Sequence, residues 1–245
     1  MHRLVALSYS PWSEKARWAL LHHRVPFRET EYVPMIGVPL LRAFTRRWTG
    51  RVTVPAFRAD SGELLTDSWE IARWAEAHGQ GEPLFPAEHL AGIEAWNAAS
   101  ERIMAAGRAL ATRRVAGDSE ALLEAVPGFV PRSLARPLGE AGVRYFIGKY
   151  GLDAGTEAER TEAIRHELLR WRAALGGSDS VAGAFTYAEV AMAVALQFVK
   201  PAESRRPRLR PATARCWTLP VVAAELADLL SWRDRVLARH QPPAP

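Results

Sequence analysis

Residues 4–20, LVALSYSPWSEKARWAL, decide the fold, because a short apolar run passes directly into a helix. The run at 4–7 is bounded by small polar residues and predicts a buried strand. Ser10 and Pro11 predict the start of the helix, since a hydroxyl caps the first turn and a proline fits the first helical position. The sequence therefore predicts a strand, a tight turn and a helix.

The pattern continues outward from this unit as alternating strands and helices. It predicts, in order, a strand at 4–7, a helix at 10–24, a strand at 27–32, a helix at 38–48, strands at 52–59 and 63–66, and a helix at 67–79. The turn Asp60-Ser61-Gly62 joins the third and fourth strands as a hairpin. The order β-α-β-α-β-β-α predicts a small mixed sheet covered by helices.

Residues 80–87 interrupt this pattern with glycine and proline and predict a linker. Beyond the linker, long segments rich in Ala, Leu, Arg and Glu predict helices at 88–115, 118–126, 157–175, 187–199 and 220–239. Thr156 with Glu159, and Thr186 with Glu189, have the spacing of capping boxes and mark helix starts. We therefore expect an α/β domain at 1–79, a linker at 80–87 and an all-helical domain at 88–245.

Composition narrows the class of protein. The 245 residues are 48% hydrophobic and 24% charged, which is globular composition. The longest largely apolar stretch, residues 190–199, is interrupted only by Gln197 and is about half the length of a membrane-spanning helix, so we expect no membrane partner. A single cysteine, Cys216, cannot form an internal disulfide, and the first ten residues lack a secretory pattern; both features favour the cytoplasm.

Several kinds of site are excluded by spacing. The sequence contains no G-x-S-x-G, no phosphate-binding loop and no G-x-G-x-x-G after the first strand. The seven histidines have no metal-binding spacing, so we expect no metal. The arginine cluster at 205–215 has no interleaved aromatic residue before Trp217, so we expect no nucleic-acid partner.

Short motifs at the junctions resemble a known family. Ser10-Pro11-Trp12-Ser13 resembles the C-P-Y-C active site of glutaredoxins with both cysteines replaced by serine, and the following EKARWAL is similar to the first helix of cytosolic glutathione transferases. Val54-Pro55 resembles the cis-proline turn of thioredoxin-fold proteins. Asp67-Ser68-Trp69-Glu70-Ile71 resembles their E/Q-S-x-x-I segment, and Thr186-x-x-Glu189 resembles the S/T-x-x-D folding motif.

The sequence is thus identified as resembling the glutathione transferases, of the serine type. The resemblance implies a thioredoxin-like N-terminal domain followed by an all-α helical bundle. It also implies glutathione as co-substrate, whose thiolate attacks a small hydrophobic electrophile. Two other classes stay open: a non-catalytic binding protein with this fold, and a glutathione-dependent oxidoreductase or peroxidase. The last is disfavoured because a serine cannot form a mixed disulfide.

Ser10 is the first candidate for stabilising the thiolate. A serine at a helix N-terminus can donate a hydrogen bond to a sulfur anion, which the helix dipole also favours. The alternative is that Ser10 only caps the helix. Tyr9 is the competing donor, since transferases of the tyrosine type take their hydroxyl from the end of the first strand; otherwise Tyr9 is a packing aromatic. Trp12 and Ser13 complete the motif, and Ser13 is also explained by a structural role.

The resemblance assigns the remaining glutathione contacts. A cis bond between Val54 and Pro55 would turn the Val54 backbone outward to pair with the peptide, although an ordinary strand-end proline is the alternative. Ser68 would bind the γ-glutamyl carboxylate at a helix N-terminus, and Asp67 would face the ammonium, although Asp67 could be a plain cap. Arg51 is a candidate for the glycyl carboxylate.

The acceptor is expected between the two domains, against Trp12 and the first long helix of the second domain. Met104, Gly107, Arg108 and Ala111 share a face of that helix, and core packing is the alternative explanation for them. The resemblance also implies a homodimer. Trp69 and Trp74 would be compatible with such an interface, although core packing explains them equally well.

Overall fold

The N-terminal part contains the predicted mixed sheet. The structure is a computed structural model and describes residues 1–126, 130–202 and 209–243. The strands are β1 (His2–Ala6), β2 (Phe27–Glu31), β3 (Ala56–Arg58) and β4 (Leu64–Leu65), in the spatial order β2-β1-β3-β4. β1 pairs with β2 in parallel, and β3 pairs with β1 and with β4 in antiparallel fashion. The thioredoxin-like arrangement is confirmed.

Three helices connect these strands: α1 (Pro11–His22), α2 (Val38–Thr45) and α3 (Ser68–His78). Of the elements that are shorter than predicted, α2 and β3 have a clear physical reason. α2 ends at Thr45 rather than at residue 48, because Arg46 adopts a left-handed conformation with φ 54°. β3 begins only after Pro55, which has no N–H to give to a ladder.

The topology brings three junctions to one edge of the sheet. Because β4 is antiparallel to β3 and β3 to β1, β4 runs parallel to β1. α1 follows β1 and α3 follows β4, so both helices begin at the carboxyl ends of parallel strands. The start of β3 lies at the same edge, since Ala56 pairs with Val5.

The rest of the described chain is helical, as predicted. The helices are α4 (Leu90–Gly117), α5 (Ser119–Glu124), α6 (Arg132–Tyr150), α7 (Glu157–Leu175), α8 (Tyr187–Ala195), α9 (Pro211–Trp217), α10 (Pro220–Glu225) and α11 (Ala227–His240). α6 and α9 were not predicted. α6 contains Pro137 in its interior together with Gly139 and Gly148, which are residues that usually indicate a helix break. α9 includes Arg215 of the arginine cluster.

The described chain forms two compact units, and each unit is made of more than one stretch of the sequence. One comprises Met1–Asn97, Ser178–Val194 and Arg235–Pro245. The other comprises Ala98–Gly177 and Ala195–Asp234. The first unit thus includes α8 up to Val194 and the end of α11, as well as the sheet.

Aromatic packing accounts for the two tryptophans of α3. The Trp69 ring lies 4.9 Å from the Phe85 ring and 5.6 Å from the Tyr187 ring, between centroids. Trp74 is buried, stacks on His78 at 4.1 Å and donates from its indole N–H to Glu63. Both side chains therefore pack within the chain, Trp74 fully and Trp69 in part.

Two further expectations concern the surface. Among the described residues, no helix is long and apolar enough to cross a membrane. In the arginine cluster, Arg205, Arg206 and Arg208 lie outside the described residues, while Arg215 pairs with Glu120 at 2.6 Å.

Candidate active site

Ser10 is the N-cap of α1. Its Oγ accepts a hydrogen bond from the Ser13 N–H at 3.4 Å, which is long for a cap, and its carbonyl accepts from the Glu14 N–H at 2.9 Å. A hydroxyl that accepts in this way keeps its own proton to donate. Within the described residues no acceptor receives that proton. Capping and donation to a ligand are therefore compatible roles of one side chain.

Ser13 has a different environment from Ser10. It is fully buried, and its Oγ accepts from the Leu7 N–H at 3.1 Å. That hydroxyl joins the end of β1 to the first turn of α1, next to Ser10, which is the structural role given above as the alternative for Ser13. Trp12, between them, is half-buried.

Tyr9 and Val54 pack against the same hydrophobic cluster. The cluster consists of buried residues in or next to β1, β2, α2 and β3: Val5, Leu7, Tyr32, Leu41, Val52 and Ala56. The bond between Val54 and Pro55 is cis, as the resemblance implied. The structure thus brings the end of β1 and the Val54-Pro55 turn together. Arg51 lies at the exposed start of this segment.

Asp67 and Ser68 begin α3 at the same edge of the sheet. Asp67 Oδ1 accepts from the Trp69 N–H at 2.8 Å and from the Glu70 N–H at 3.2 Å, so Asp67 is the N-cap. Its second carboxylate oxygen makes no hydrogen bond within the described residues, and the side chain is exposed. Ser68 is buried, and its carbonyl accepts from the Tyr187 hydroxyl at 3.4 Å.

Several charged side chains of α1 are buried, which the sequence analysis did not predict. Arg17 is buried, donates to both carboxylate oxygens of Glu29 at 2.9 and 2.6 Å, and also pairs with the buried Glu14. Burial lowers the pKa of the Arg17 guanidinium, but the hydrogen bond to Glu29 and the charge of Glu14 outweigh burial and raise it. Since α1 carries the candidate Ser10, this buried network fixes the helix against β2.

Lys15 is a second buried charge on α1. It is fully buried, and its Nζ donates to Asn97 Oδ1 at 2.6 Å and lies 5.8 Å from the centre of the Tyr187 ring. The same Tyr187 bonds to Ser68 at the start of α3. Lys15 and Tyr187 therefore connect the two helices that begin at the candidate site. Lys15 could have been noticed in the sequence as a charged residue of the EKAR segment, but its position alone does not show whether it is buried or exposed.

A buried carboxylate holds the start of α8, which carries Tyr187. Glu189 is fully buried, and its two oxygens accept from the Val181 N–H at 3.1 Å, the Thr186 N–H at 2.7 Å and the Thr186 hydroxyl at 2.6 Å. The helix start predicted from Thr186 and Glu189 is confirmed. The Thr186 hydroxyl accepts from the Ala188 N–H at 3.3 Å.

The predicted acceptor residues lie in the second compact unit. Met104 and Ala111 are buried there, and a Cβ at Gly107 would lie 2.4 Å from the Phe198 side chain. The Arg108 guanidinium stacks over Tyr150 at 3.8 Å from the ring centre. Met104 and Ala111 thus pack inside this unit, where Gly107 allows a helix face to approach an aromatic ring closely, while Arg108 is half-buried.

A cavity of about 460 Å³ opens elsewhere in the first unit. Its walls come from the loop before α8 and from the end of α11, including Asp179, Phe185, Arg235, Arg239 and His240. Asp179 pairs with Arg235 at 3.0 Å and with Arg239 at 3.1 Å. None of the predicted glutathione contacts lines this cavity.

The described part of the chain contains neither a cluster of metal ligands nor an exposed cysteine of its own. There, no group of three or more His, Cys, Asp or Glu is placed to hold a metal ion. Cys216 is buried, and burial raises the pKa of its thiol.

Comparison with known proteins decides the family of the N-terminal part. Residues 9–78 match the family described as glutathione S-transferase, N-terminal domain. This segment is a glutathione S-transferase N-terminal domain. It contains every candidate glutathione contact named above, from Tyr9 to Ser68. A search of curated proteins gave no match.

Solved structures extend the similarity of fold over the whole chain. A glutathione S-transferase from Methylobacillus flagellatus, crystallised with glutathione bound, is 14% identical, with 98% of this chain and 96% of that chain covered and a TM-score of 0.63. One from Methylobacterium radiotolerans, in complex with glutathione sulfonate, is 19% identical, with 100% and 96% covered and a TM-score of 0.61. The β-etherase LigF from Sphingobium is 15% identical, with 97% and 95% covered and a TM-score of 0.65. The chain therefore has the glutathione transferase fold.

Proposed function

We propose that the protein binds glutathione, stabilises its thiolate with the Ser10 hydroxyl, and directs the sulfur onto a small hydrophobic electrophile. The observation that carries this proposal is the position of Ser10. It caps α1 with one lone pair of its oxygen, keeps a proton to donate, and lies at the sheet edge where the Val54-Pro55 turn and the start of α3 also lie.

The thiolate is favoured at Ser10 for two physical reasons. The hydroxyl donates a hydrogen bond to the sulfur anion, and a hydrogen bond to a charged group is worth about 1.5–3 kcal/mol. The amino end of α1 also carries a partial positive charge from the helix dipole, which stabilises an anion within the first turn. Both interactions are stronger for the thiolate than for the thiol, so they lower the pKa of the bound glutathione.

The rest of the tripeptide is assigned to the neighbouring junctions. In the proposed complex the Val54 backbone pairs with the peptide of glutathione, and the γ-glutamyl carboxylate lies at the N-terminus of α3 near Ser68. Asp67 uses one oxygen to cap α3, and its other oxygen faces the ammonium group. Arg51 is proposed for the glycyl carboxylate.

Calorimetric titration of glutathione tests this assignment. The wild type is expected to bind, and Ser68→Ala is expected to weaken binding, because a hydroxyl near the carboxylate is lost. Ser10→Ala and Tyr9→Phe identify the donor: the proposal expects a loss for Ser10→Ala and little change for Tyr9→Phe. Ser8→Ala is the matched control, since Ser8 is exposed two residues before Ser10. No binding by the wild type would refute the proposal.

A pH titration of the thiol of bound glutathione separates an enzyme from a binding protein. If glutathione binds with an unshifted thiol pKa, the protein is a transferase-fold binder without thiol activation. A homodimer stays a prediction from the resemblance, and light scattering during gel filtration checks it. A cytoplasmic location stays a prediction from the single cysteine and the first ten residues.

A further inference from the structure

The outer face of α2, together with residues just before and just after the helix, forms an exposed apolar surface, which we name the α2 surface. It consists of Ile36, Pro39, Leu40, Ala43 and Trp48, all exposed. The exposed fractions are 62% for Ile36, 76% for Leu40 and 69% for Trp48. Large apolar side chains grouped in this way on a folded surface usually mark a place of contact.

The same stretch of chain is strongly cationic. Between Glu31 and Asp60 the sequence contains five arginines and neither Asp nor Glu. Arg46 and Arg47 are exposed beside Trp48, and neither guanidinium has a carboxylate partner among the described residues. The α2 surface is therefore an apolar patch with a positively charged border.

The inner side of α2 is fixed, so the exposure of its outer side does not come from a loose helix. Leu41 is buried in the hydrophobic cluster, and the guanidinium groups of Arg3 and Arg58 lie 5.4 Å and 5.1 Å from the centre of the Phe44 ring. Arg42 closes the following turn by donating to the carbonyls of Arg47 at 3.2 Å and Gly50 at 2.9 Å. The turn therefore holds Trp48 outward.

We propose that the α2 surface docks on an anionic lipid membrane. Aliphatic and tryptophan side chains on one face of a short helix, bordered by arginines, are the combination that binds the interface of negatively charged bilayers. The contact is superficial and needs no helix that spans the bilayer. It differs from the absence of a membrane partner that the sequence analysis expected.

Charge and shape favour lipid over the other occupants. Two copies joined through the same patch would bring two sets of unpaired arginines together, and like charges repel. A protein partner would need a cavity for each protruding side chain. Lipid deforms around protruding side chains, and anionic headgroups meet the arginines at any orientation.

The test is flotation of the full-length protein with vesicles of phosphatidylcholine, with and without phosphatidylglycerol. The wild type is expected to float with the anionic vesicles and to be released by salt. Leu40→Ser and Trp48→Ser are each expected to lower the partition coefficient at least about tenfold, since each removes a large apolar side chain that the bilayer would bury. Arg46→Gln with Arg47→Gln is expected to lower it about 25-fold, at about fivefold for each arginine.

Matched controls lie away from the α2 surface. Arg24 is exposed in the same left-handed conformation as Arg46, with φ 54°, and Arg144 is exposed as Arg47 is. Arg24→Gln with Arg144→Gln removes the same charge and is expected to lower binding much less. Val221→Ser, at a residue 80% exposed, is the control for Leu40→Ser and is expected to leave vesicle binding unchanged.

Each other outcome overturns the proposal. Failure of the wild type to float with anionic vesicles does so directly, as does undiminished flotation of Leu40→Ser and Trp48→Ser. A dimer that Leu40→Ser dissociates would make a second copy the occupant. Binding to polyglutamate but not to vesicles would make an acidic protein the occupant of the α2 surface. Glutathione titration of the same variants is expected to match wild type, so failure here is distinguishable from failure of the proposed function.

Discussion

Replacing Glu189 by alanine is expected to destabilise the first compact unit strongly. The carboxylate is fully buried and accepts two backbone N–H groups and one hydroxyl. After truncation the Thr186 hydroxyl can rotate toward another acceptor, but the Val181 and Thr186 N–H groups cannot move as freely. Each such bond to a charged group is worth about 1.5–3 kcal/mol, so we expect a loss of about 4 kcal/mol.

The chain offers a matched control in the box at the start of α7. Thr156 and Glu159 have the same residue types and spacing as Thr186 and Glu189, and there both reciprocal bonds form, at 2.7 and 3.1 Å. That box is solvent-exposed, so water replaces the lost acceptor. We expect Glu159→Ala to cost much less than Glu189→Ala.

Urea unfolding followed by circular dichroism measures both losses. Glu189→Gln is expected to lie between wild type and Glu189→Ala, because the amide keeps one acceptor oxygen but turns a donor toward an N–H group. Equal losses for Glu189→Ala and Glu159→Ala would refute the argument that burial sets the cost. So would a loss below about 1 kcal/mol for Glu189→Ala, the value for an ordinary hydrogen bond.

Two further predictions concern a close contact and a buried histidine. Gly107→Ala is expected to cost about 1–3 kcal/mol from overpacking against Phe198, whereas Gly148→Ala, with open space around it, is expected to stabilise α6 by about 0.5–1 kcal/mol; urea unfolding of both checks this. Burial, helped by the neighbouring His22, lowers the pKa of His23 from 6.5 to about 4, so between these pH values the unfolded chain binds a proton that the folded chain does not. The contribution of His23 to the free energy of unfolding is therefore constant above pH 6.5 and falls by about 3 kcal/mol as the pH drops to 4. Unfolding of wild type and His23→Leu at neutral and acidic pH tests the difference, and equal pH slopes would contradict it.

The N-terminal fold could be predicted because its signals are local. A hydroxyl followed by proline begins α1, an Asp caps α3, and a Gly-containing turn joins β3 to β4. Each junction is decided by residues next to one another in the chain. The order of elements then leaves few ways to build the sheet.

Burial of charge and the path of the later helices could not be predicted in this way. Glu14, Lys15 and Arg17 look like a solvated face, but their partners Glu29, Asn97 and Gln241 lie 12 to 227 residues away in the sequence. α6 was missed because Pro137 usually ends a helix. Long-range packing decides both features.

The candidate site was predicted in part. Motif spacing indicated Ser10, the Val54-Pro55 turn and the start of α3, and the sheet brings these junctions to one edge. The motif favoured Ser10 as the donor and gave a structural role as the alternative for Ser13. Both hydroxyls accept a backbone N–H, and the structure adds that Ser10 is half-buried whereas Ser13 is fully buried and bonded to Leu7.

The ultraviolet absorbance of the thiolate of bound glutathione, measured against pH, tests the central claim most directly. We expect the wild type to lower the thiol pKa by about 1–2 units relative to free glutathione, the equivalent of one charge-assisted hydrogen bond. Ser10→Ala is expected to return the thiol pKa most of the way to that of free glutathione, while Ser8→Ala is expected to leave it lowered. An equally lowered pKa in Ser10→Ala would contradict the account.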